Sequence, residues 1–273
     1  MIDYIQEDFL IITKTYPIPS SNYSETTCVA AFIKSGEIRR LYPIPFRLLD
    51  GSKQFRKWEW IRVKVTRASS DHRPESYRVD VDSIETLRQV KTHHAWGERM
   101  QWITPHLLNS CSELETLRLE QGKSLGFIKP LNISLEITEA DKSDWSDQEK
   151  ENLVKQGLFD KTNIGKRNVL RKVPYDFRYK YECRTPNGIE KLSHKITDWE
   201  IGTFFWKCQK DYGNKWEQPF RDKLEREFSE EKDLIFLMGN MHRFQDQWLI
   251  VGLIYPPKVA ARQEALWPTY PDG

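Results

Sequence analysis

The stretch Lys57-Trp58-Glu59-Trp60-Ile61-Arg62-Val63-Lys64-Val65 is the most constraining feature of this chain, because its alternation suits little except a strand with one buried face. Successive side chains of a strand point to opposite faces. Ile61, Val63 and Val65 then share a face with Glu59, and Trp58, Trp60, Arg62 and Lys64 share the other. The aliphatic face predicts one wall of a core. The second face sets flat rings beside cations, a pairing suited to stacking on bases and neutralising phosphates.

The surrounding residues extend this reading. Residues 8–16 are rich in β-branched and aromatic side chains, as in a buried first strand. Residues 27–34, the Ser35-Gly36 turn and residues 37–42 predict a hairpin, and residues 76–80 a further strand. Pro43 and Pro45 remove two backbone donors, which assigns residues 43–47 to an extended edge or a loop. About five short strands in this first part predict closure as a small barrel or a bent antiparallel sheet.

Helical signals follow. Asp82 with Glu85 as a capping pair, and Ile84, Leu87 and Val90 on one face, predict a helix after Asp82. A second helix is expected over residues 105–121, with Gly122 as its stop. Residues 93–99 fit neither period. Further on, Leu131, Ile133, Leu135 and Ile137 alternate with polar residues as in a half-exposed strand, and Ser146 with Glu149 opens a helix expected to end near Gly157. Pro186-Asn187-Gly188 is a hairpin turn between two strands. A helix is expected from Asp198 to about Tyr212 and another from Pro219, before two strands over residues 233–241 and 248–255 that are apolar on both faces. The class is α+β: an N-terminal five-strand small barrel or bent antiparallel sheet, a helical middle, and a C-terminal mixed part with an antiparallel sheet. A composition break divides the chain into a β-rich nucleic-acid-binding part, residues 1–122, and a mixed α+β part, residues 123–273; a single domain is the alternative.

The 30% charged and 12% aromatic content excludes a disordered chain. A net charge of +2 offers no global attraction to nucleic acid, so any such argument rests on local clustering. Residues 37–78 supply it, with eleven Lys/Arg against five acids. Arg39, Arg40, Arg47, Arg56, Lys57, Arg62, Lys64 and Arg73 are interleaved there with Trp58 and Trp60. Trp58, Trp60, Arg62 and Lys64 form the expected platform, with Arg39, Arg40, Arg47 and Arg56 as added phosphate contacts, in the style of single-strand-binding barrels. The plainer alternative packs the Trp rings beneath a helix and leaves Arg and Lys as solvated surface. A second basic run, including Lys161, Lys166 and Arg167, holds seven Lys/Arg against two acids over residues 161–182 and is a further candidate grip on phosphates.

Signatures of catalysis are sparse. Asp71-His72-Arg73-Pro74-Glu75-Ser76 concentrates polar chemistry in one loop, suited to placing a phosphate or a general base, or to a salt-bridged turn. His94 with Glu98, His194 with Asp198 and His242 with Asp246 are His/acid pairs without full metal-ligand spacing. Asp71, His72, Glu75, His194, Asp198 and His242 are therefore the candidates for a metal-dependent nuclease or other hydrolase. No metal or cofactor is expected. Cys28, Cys111, Cys183 and Cys208 are far apart and form no CxxC, as suits buried free thiols in a reducing cytoplasm. No segment approaches a bilayer span, so a cytoplasmic location and no membrane partner are expected.

Residues 36–47, which contain Arg40-Leu41-Tyr42-Pro43-Ile44-Pro45-Phe46-Arg47, resemble a segment of a family of uncharacterised bacterial proteins, as does Trp248-Leu249-Ile250-Val251-Gly252-Leu253-Ile254-Tyr255-Pro256-Pro257. The resemblance implies association with mobile or anti-phage defence islands and brings no activity or catalytic residues. Together these readings lead to a non-enzymatic nucleic-acid-binding accessory protein with a protein partner. The alternatives are the nuclease above and a structural subunit whose exposed aromatics bind protein.

Overall fold

The computed structural model describes residues 3–155 and 169–258. Six strands, β1 (Ile5–Lys14), β2 (Ile18–Ser20), β3 (Ser24–Ile33), β4 (Ile38–Ile44), β5 (Glu59–Arg67) and β6 (Ser76–Gln89), build the N-terminal sheet. β1 pairs with both β3 and β5, so the long strands close in a ring, β1–β5–β6–β4–β3–β1, with β2 attached to β3. Every pairing is antiparallel except β4–β6, which runs parallel through Arg40↔Ser76 and Leu41↔Tyr77. The expected small closed sheet is present. Its parallel junction was not legible, because side-chain alternation has a period of two in either orientation.

The interior of the ring follows that alternation. Ile61, Val63 and Val65 of β5 pack against Phe9, Ile11, Val29, Ala31 and Leu41. The helix expected after Asp82 is instead the second half of β6, where Ile84 is buried and Leu87 exposed. Two register shifts against β5 interrupt the period there, and a bulged strand imitates helical spacing.

A helix, α1 (His93–Ile103), follows, its first turn carrying left-handed residues at His94, Ala95 and Trp96. After a tight turn come β7 (Leu107–Leu108), α2 (Cys111–Gln121) and β8 (Leu125–Ile128). Leu107 and Leu108 therefore lie in a strand beside β8, and α2 starts later than the periodicity predicts. Ser110 sets that start, since its Oγ accepts from the Glu113 N–H at 3.1 Å; Gly122, at φ 69°, ends the helix.

The remaining elements are β9 (Leu131–Glu139), α3 (Asp147–Lys155), β10 (Tyr175–Thr185), β11 (Gly188–Lys195), α4 (Trp199–Tyr212), α5 (Glu217–Arg221), α6 (Phe228–Glu230), β12 (Ile235–Asn240) and β13 (Trp248–Ile254). They form a three-stranded sheet, β11-β10-β9, and a four-stranded sheet, β13-β12-β8-β7. Phe177 of β10 meets Phe205 of α4 and Phe220 of α5, while Tyr179 and Tyr181 meet Phe236 of β12. Gly157, the expected end of α3, lies outside the described residues, as do Lys161, Lys166 and Arg167.

The two halves meet on the outside of the ring. Leu10, Ile12, Ala30, Phe32, Trp58 and Trp60 pack against Leu125, Phe127, Ile235, Leu237, Val251 and Ile254. That second apolar face is why residues 9–12 of β1 and 29–33 of β3 are apolar on both sides. Among the described residues no helix is long and apolar enough to cross a membrane.

Candidate nucleic-acid interface

The expected platform lies in the core. Trp58 and Trp60 are 2% and 6% exposed, turned outward from the ring as the alternation requires but into the seam between the halves. Trp58 meets Trp96 edge to face at 6.2 Å, and Arg99 lies over both rings. Arg99 also donates to the Val90 carbonyl at 2.8 Å, which fixes α1 across the end of β6. The plainer alternative, rings packed beneath a helix, describes this arrangement.

Most of the predicted cations are engaged within the fold. Arg62 forms a two-point bridge to Asp8 at 2.7 and 3.1 Å. Arg47 pairs with buried Glu25 at 3.0 Å, and Arg39 pairs with Glu37 while covering the Tyr77 ring. Arg40 is buried on the outer face of β4 and donates to the Ser124 carbonyl at 2.9 Å, while the Ser124 N–H and hydroxyl donate to Glu75. Lys57 donates to Glu200 at 3.0 Å and to the Leu253 carbonyl at 2.7 Å, with Asp198 at 3.8 Å. Burial alone would lower the Lys57 pKa, but the Asp198 and Glu200 carboxylates outweigh it and hold the amine charged. Burial raises the pKa of Asp198, which caps α4 by accepting from the Glu200 N–H. Arg56 and Lys64 stand at the surface.

The Asp71 loop is a built junction. Arg73, 8% exposed, donates to Asp71 and to the Asn240 carbonyl at 2.7 Å, tying the ring to the end of β12. Burial raises the Asp71 pKa, yet bonds from Arg73 and Ser76 outweigh it and hold the carboxyl well below its usual range. His242 reaches Asp71 with Nδ1 at 3.2 Å, so its acid partner comes from the ring and is not the expected Asp246. His194 instead bonds Tyr181, and Asp198 lies in the Lys57 cluster, so the hydrolase candidates sit in three separate places. Among the described residues no group of three or more His, Cys, Asp or Glu is placed to hold a metal ion.

One groove combines aromatic surface with exposed charge. It encloses about 570 Å³ between the β3–β4 turn (Lys34, Ser35, Gly36, Glu37), the end of β6 (Arg88) and the segment Glu98, Gln101, Trp102, Pro105 and His106. Gly36, at φ 87°, makes the tight turn possible. The floor is the rim of a buried aromatic stack. Trp102 lies 5.7 Å from Phe32 and 5.4 Å, edge on, from Trp60; the His106 ring lies 5.3 Å from Phe32, which stacks on Phe127. Burial lowers the His106 pKa against an opposing hydrogen bond to the Gly36 backbone, so the ring stays neutral near pH 7. On the rim Lys34 bridges Asp8 at 2.8 Å and Arg88 bridges Glu98 at 3.0 Å, both cations well exposed. The Arg88–Glu98 pair is exposed at both ends and screened by water, whereas Lys34 reaches down to an Asp8 carboxylate that Arg62 also holds. Trp102 and His106 escaped the sequence reading because residues 93–99 fit neither period and the helix expected over residues 105–121 takes in His106, which lies instead in the tight turn before β7. The usable signal was the pair of half-polar aromatic residues flanking Pro105.

Residues 5–105 match the model described as Domain of unknown function (DUF8758), and residues 107–271 match Domain of unknown function (DUF8757). No curated protein matches the chain. Among solved structures it is similar to one described as "Structure and Conformational Change of a Replication Protein A Heterotrimer Bound to ssDNA", with 9% identity, a TM-score of 0.24, and coverage of 97% of this chain and 68% of that one. A TM-score of that size fixes neither fold nor ligand.

Proposed function

The chain belongs to the family described as Domain of unknown function (DUF8757), and from that premise, which carries no activity with it, we propose a nucleic-acid-binding accessory protein that uses the Trp102–His106 groove. Two features support the reading. If the ring strands β1, β3, β4, β5 and β6 are counted first to fifth, their order is first–second–third–fifth–fourth, with the third and fifth parallel. That is the connectivity of the OB-fold, whose second and third strands present an outer face to oligonucleotides and oligosaccharides. The observation that carries the proposal is the state of this face. Phe127 of β8 and Ser124, just before that strand, lie against it, and the groove beside the β3–β4 turn stays open, floored by aromatic rings and edged by Lys34 and Arg88. Bases can stack on the rings and phosphates can meet the exposed Lys34 and Arg88 cations, which stand beside Glu37 and Glu98, and this favours a nucleic acid over a neutral sugar. A pocket of this size accepts one nucleotide. A protein partner and a role within a defence complex, as the Arg40–Arg47 resemblance implies, belong to the same proposal.

Anisotropy titration of labelled DNA and RNA oligonucleotides over a salt series tests it. The Lys34→Glu/Arg88→Glu variant is expected to bind about tenfold more weakly, with a salt slope reduced by about 1–2. Unchanged affinity in that variant would overturn the groove, and no binding by the wild type at low salt would overturn the function.

A further inference from the structure

Two lysines approach the start of α4 from the ring, and they meet different surroundings. Lys57, just before β5, takes the acids there, with Glu200 at 3.0 Å and Asp198 at 3.8 Å from its Nζ. The Tyr255 hydroxyl donates to the same Glu200 carboxylate at 3.3 Å. Lys14, the last residue of β1, has a neutral partner instead, because its Nζ donates to the Phe55 carbonyl at 2.9 Å. Among the described residues it forms no ion pair, since Glu200 and Asp198 are engaged by Lys57. The rest of its surroundings are rings. Nζ lies 3.7 Å from the centroid of Phe46, 5.2 Å from that of Phe55 and 5.7 Å from that of Trp199. Phe46 joins the three, edge-on to Phe55 at 4.9 Å and to Trp199 at 5.4 Å. Phe46 and Phe55 are buried, whereas Lys14 itself is only partly so.

We propose that Lys14 is an acylation site, whose Nζ takes the acyl group of a small acyl phosphate. An ammonium held by one carbonyl and three rings has given up much of its water, and the ring faces return only part of that loss. The same surroundings disfavour the neutral amine far less, so the free base that attacks carbonyl carbon is populated near neutral pH. Burial is the largest influence and brings the Lys14 pKa down to about 8, helped by the Lys57 charge and opposed by Glu200, Asp198 and Glu59. Lys57 is the opposite case. Its two carboxylates keep it charged, with no lone pair to offer. In the reaction the Nζ lone pair attacks the acyl carbon, and the bond from that carbon to the bridging phosphate oxygen breaks. Inorganic phosphate leaves with that electron pair, and the nitrogen releases a proton to solvent. The product is a neutral amide whose remaining N–H can still donate to the Phe55 carbonyl. Acylation thereby removes a positive charge from the joint between β1 and α4.

The test incubates the full wild-type chain with acetyl phosphate under native conditions over a pH series and follows each lysine by peptide mass mapping. At about pH 7.5 Lys14 is expected to be acetylated at least about tenfold faster than exposed Lys64, because a fully exposed lysine amine titrates at about 10.4 and is almost wholly protonated there. The Lys14 rate is expected to level off above about pH 9, while that of Lys64 goes on rising. Lys57, beside the same helix, is the internal control and is expected to stay unmodified. Lys14 reacting no faster than Lys64, or Lys57 reacting as fast as Lys14, would overturn the proposal. Because every rate is read on the wild-type chain, the result does not depend on how well a variant folds.

Discussion

Trp58 and Trp60 on β5 and Trp102 and His106 beside α1 are two aromatic pairs of similar chemistry, each close to Arg or Lys, and the fold gives them opposite uses. The β5 pair is sealed in the seam, with Arg99 laid over Trp58 and Trp60 packed edge on against Trp102. The second pair takes what the seam leaves uncovered and presents it at the bottom of a groove. The two belong to one continuous stack, Trp60–Trp102–Phe32–Phe127, so the difference lies in depth and not in residue type. Composition along the chain does not locate a binding surface when a second layer of protein settles on half of it.

Three substitutions test this contrast, beginning with the largest expected effect. Trp58→Ala should cost about 3–5 kcal/mol of stability in urea unfolding, the range for emptying a large aromatic site, with oligonucleotide affinity of the folded fraction unchanged. A loss under about 1 kcal/mol together with lost binding would put the binding face back on β5. Glu75→Ala addresses what holds the seam shut. It strips the Ser124 N–H and hydroxyl of their acceptor beside buried Arg40, and about 2–3 kcal/mol is expected. A near-zero effect would mean that water reaches the seam. Arg62→Ala should be the mildest, leaving the urea midpoint close to that of the wild type, because its bridge to Asp8 is partly exposed. A larger loss would make the outer face of β5 more than a solvated ladder.

Much of the fold was legible locally. The period of two on β5 placed Ile61, Val63 and Val65 inside the ring, the Ser35-Gly36 and Asn187-Gly188 turns joined their hairpins, and Asp198 capped α4 as its spacing with Glu200 suggests. Each of these rests on groups a few residues apart. The β6 error came from bulges, which break the period that local reading depends on.

The candidate site was far less legible. The cations were countable, but their partners were not, because Arg62 finds Asp8 54 residues away and Lys57 finds Glu200 143 residues away. A local excess of positive charge was therefore neutralised by acids from β1, β3 and α4. By itself the sequence determined which side of β5 faces the ring interior, since that follows from backbone geometry. Whether the other side meets water, a ligand or protein was decided only by the tertiary structure. β8, β12 and β13 bury Trp58 and Trp60 by removing apolar surface from water, and leave Trp102 and His106 at the edge of the contact.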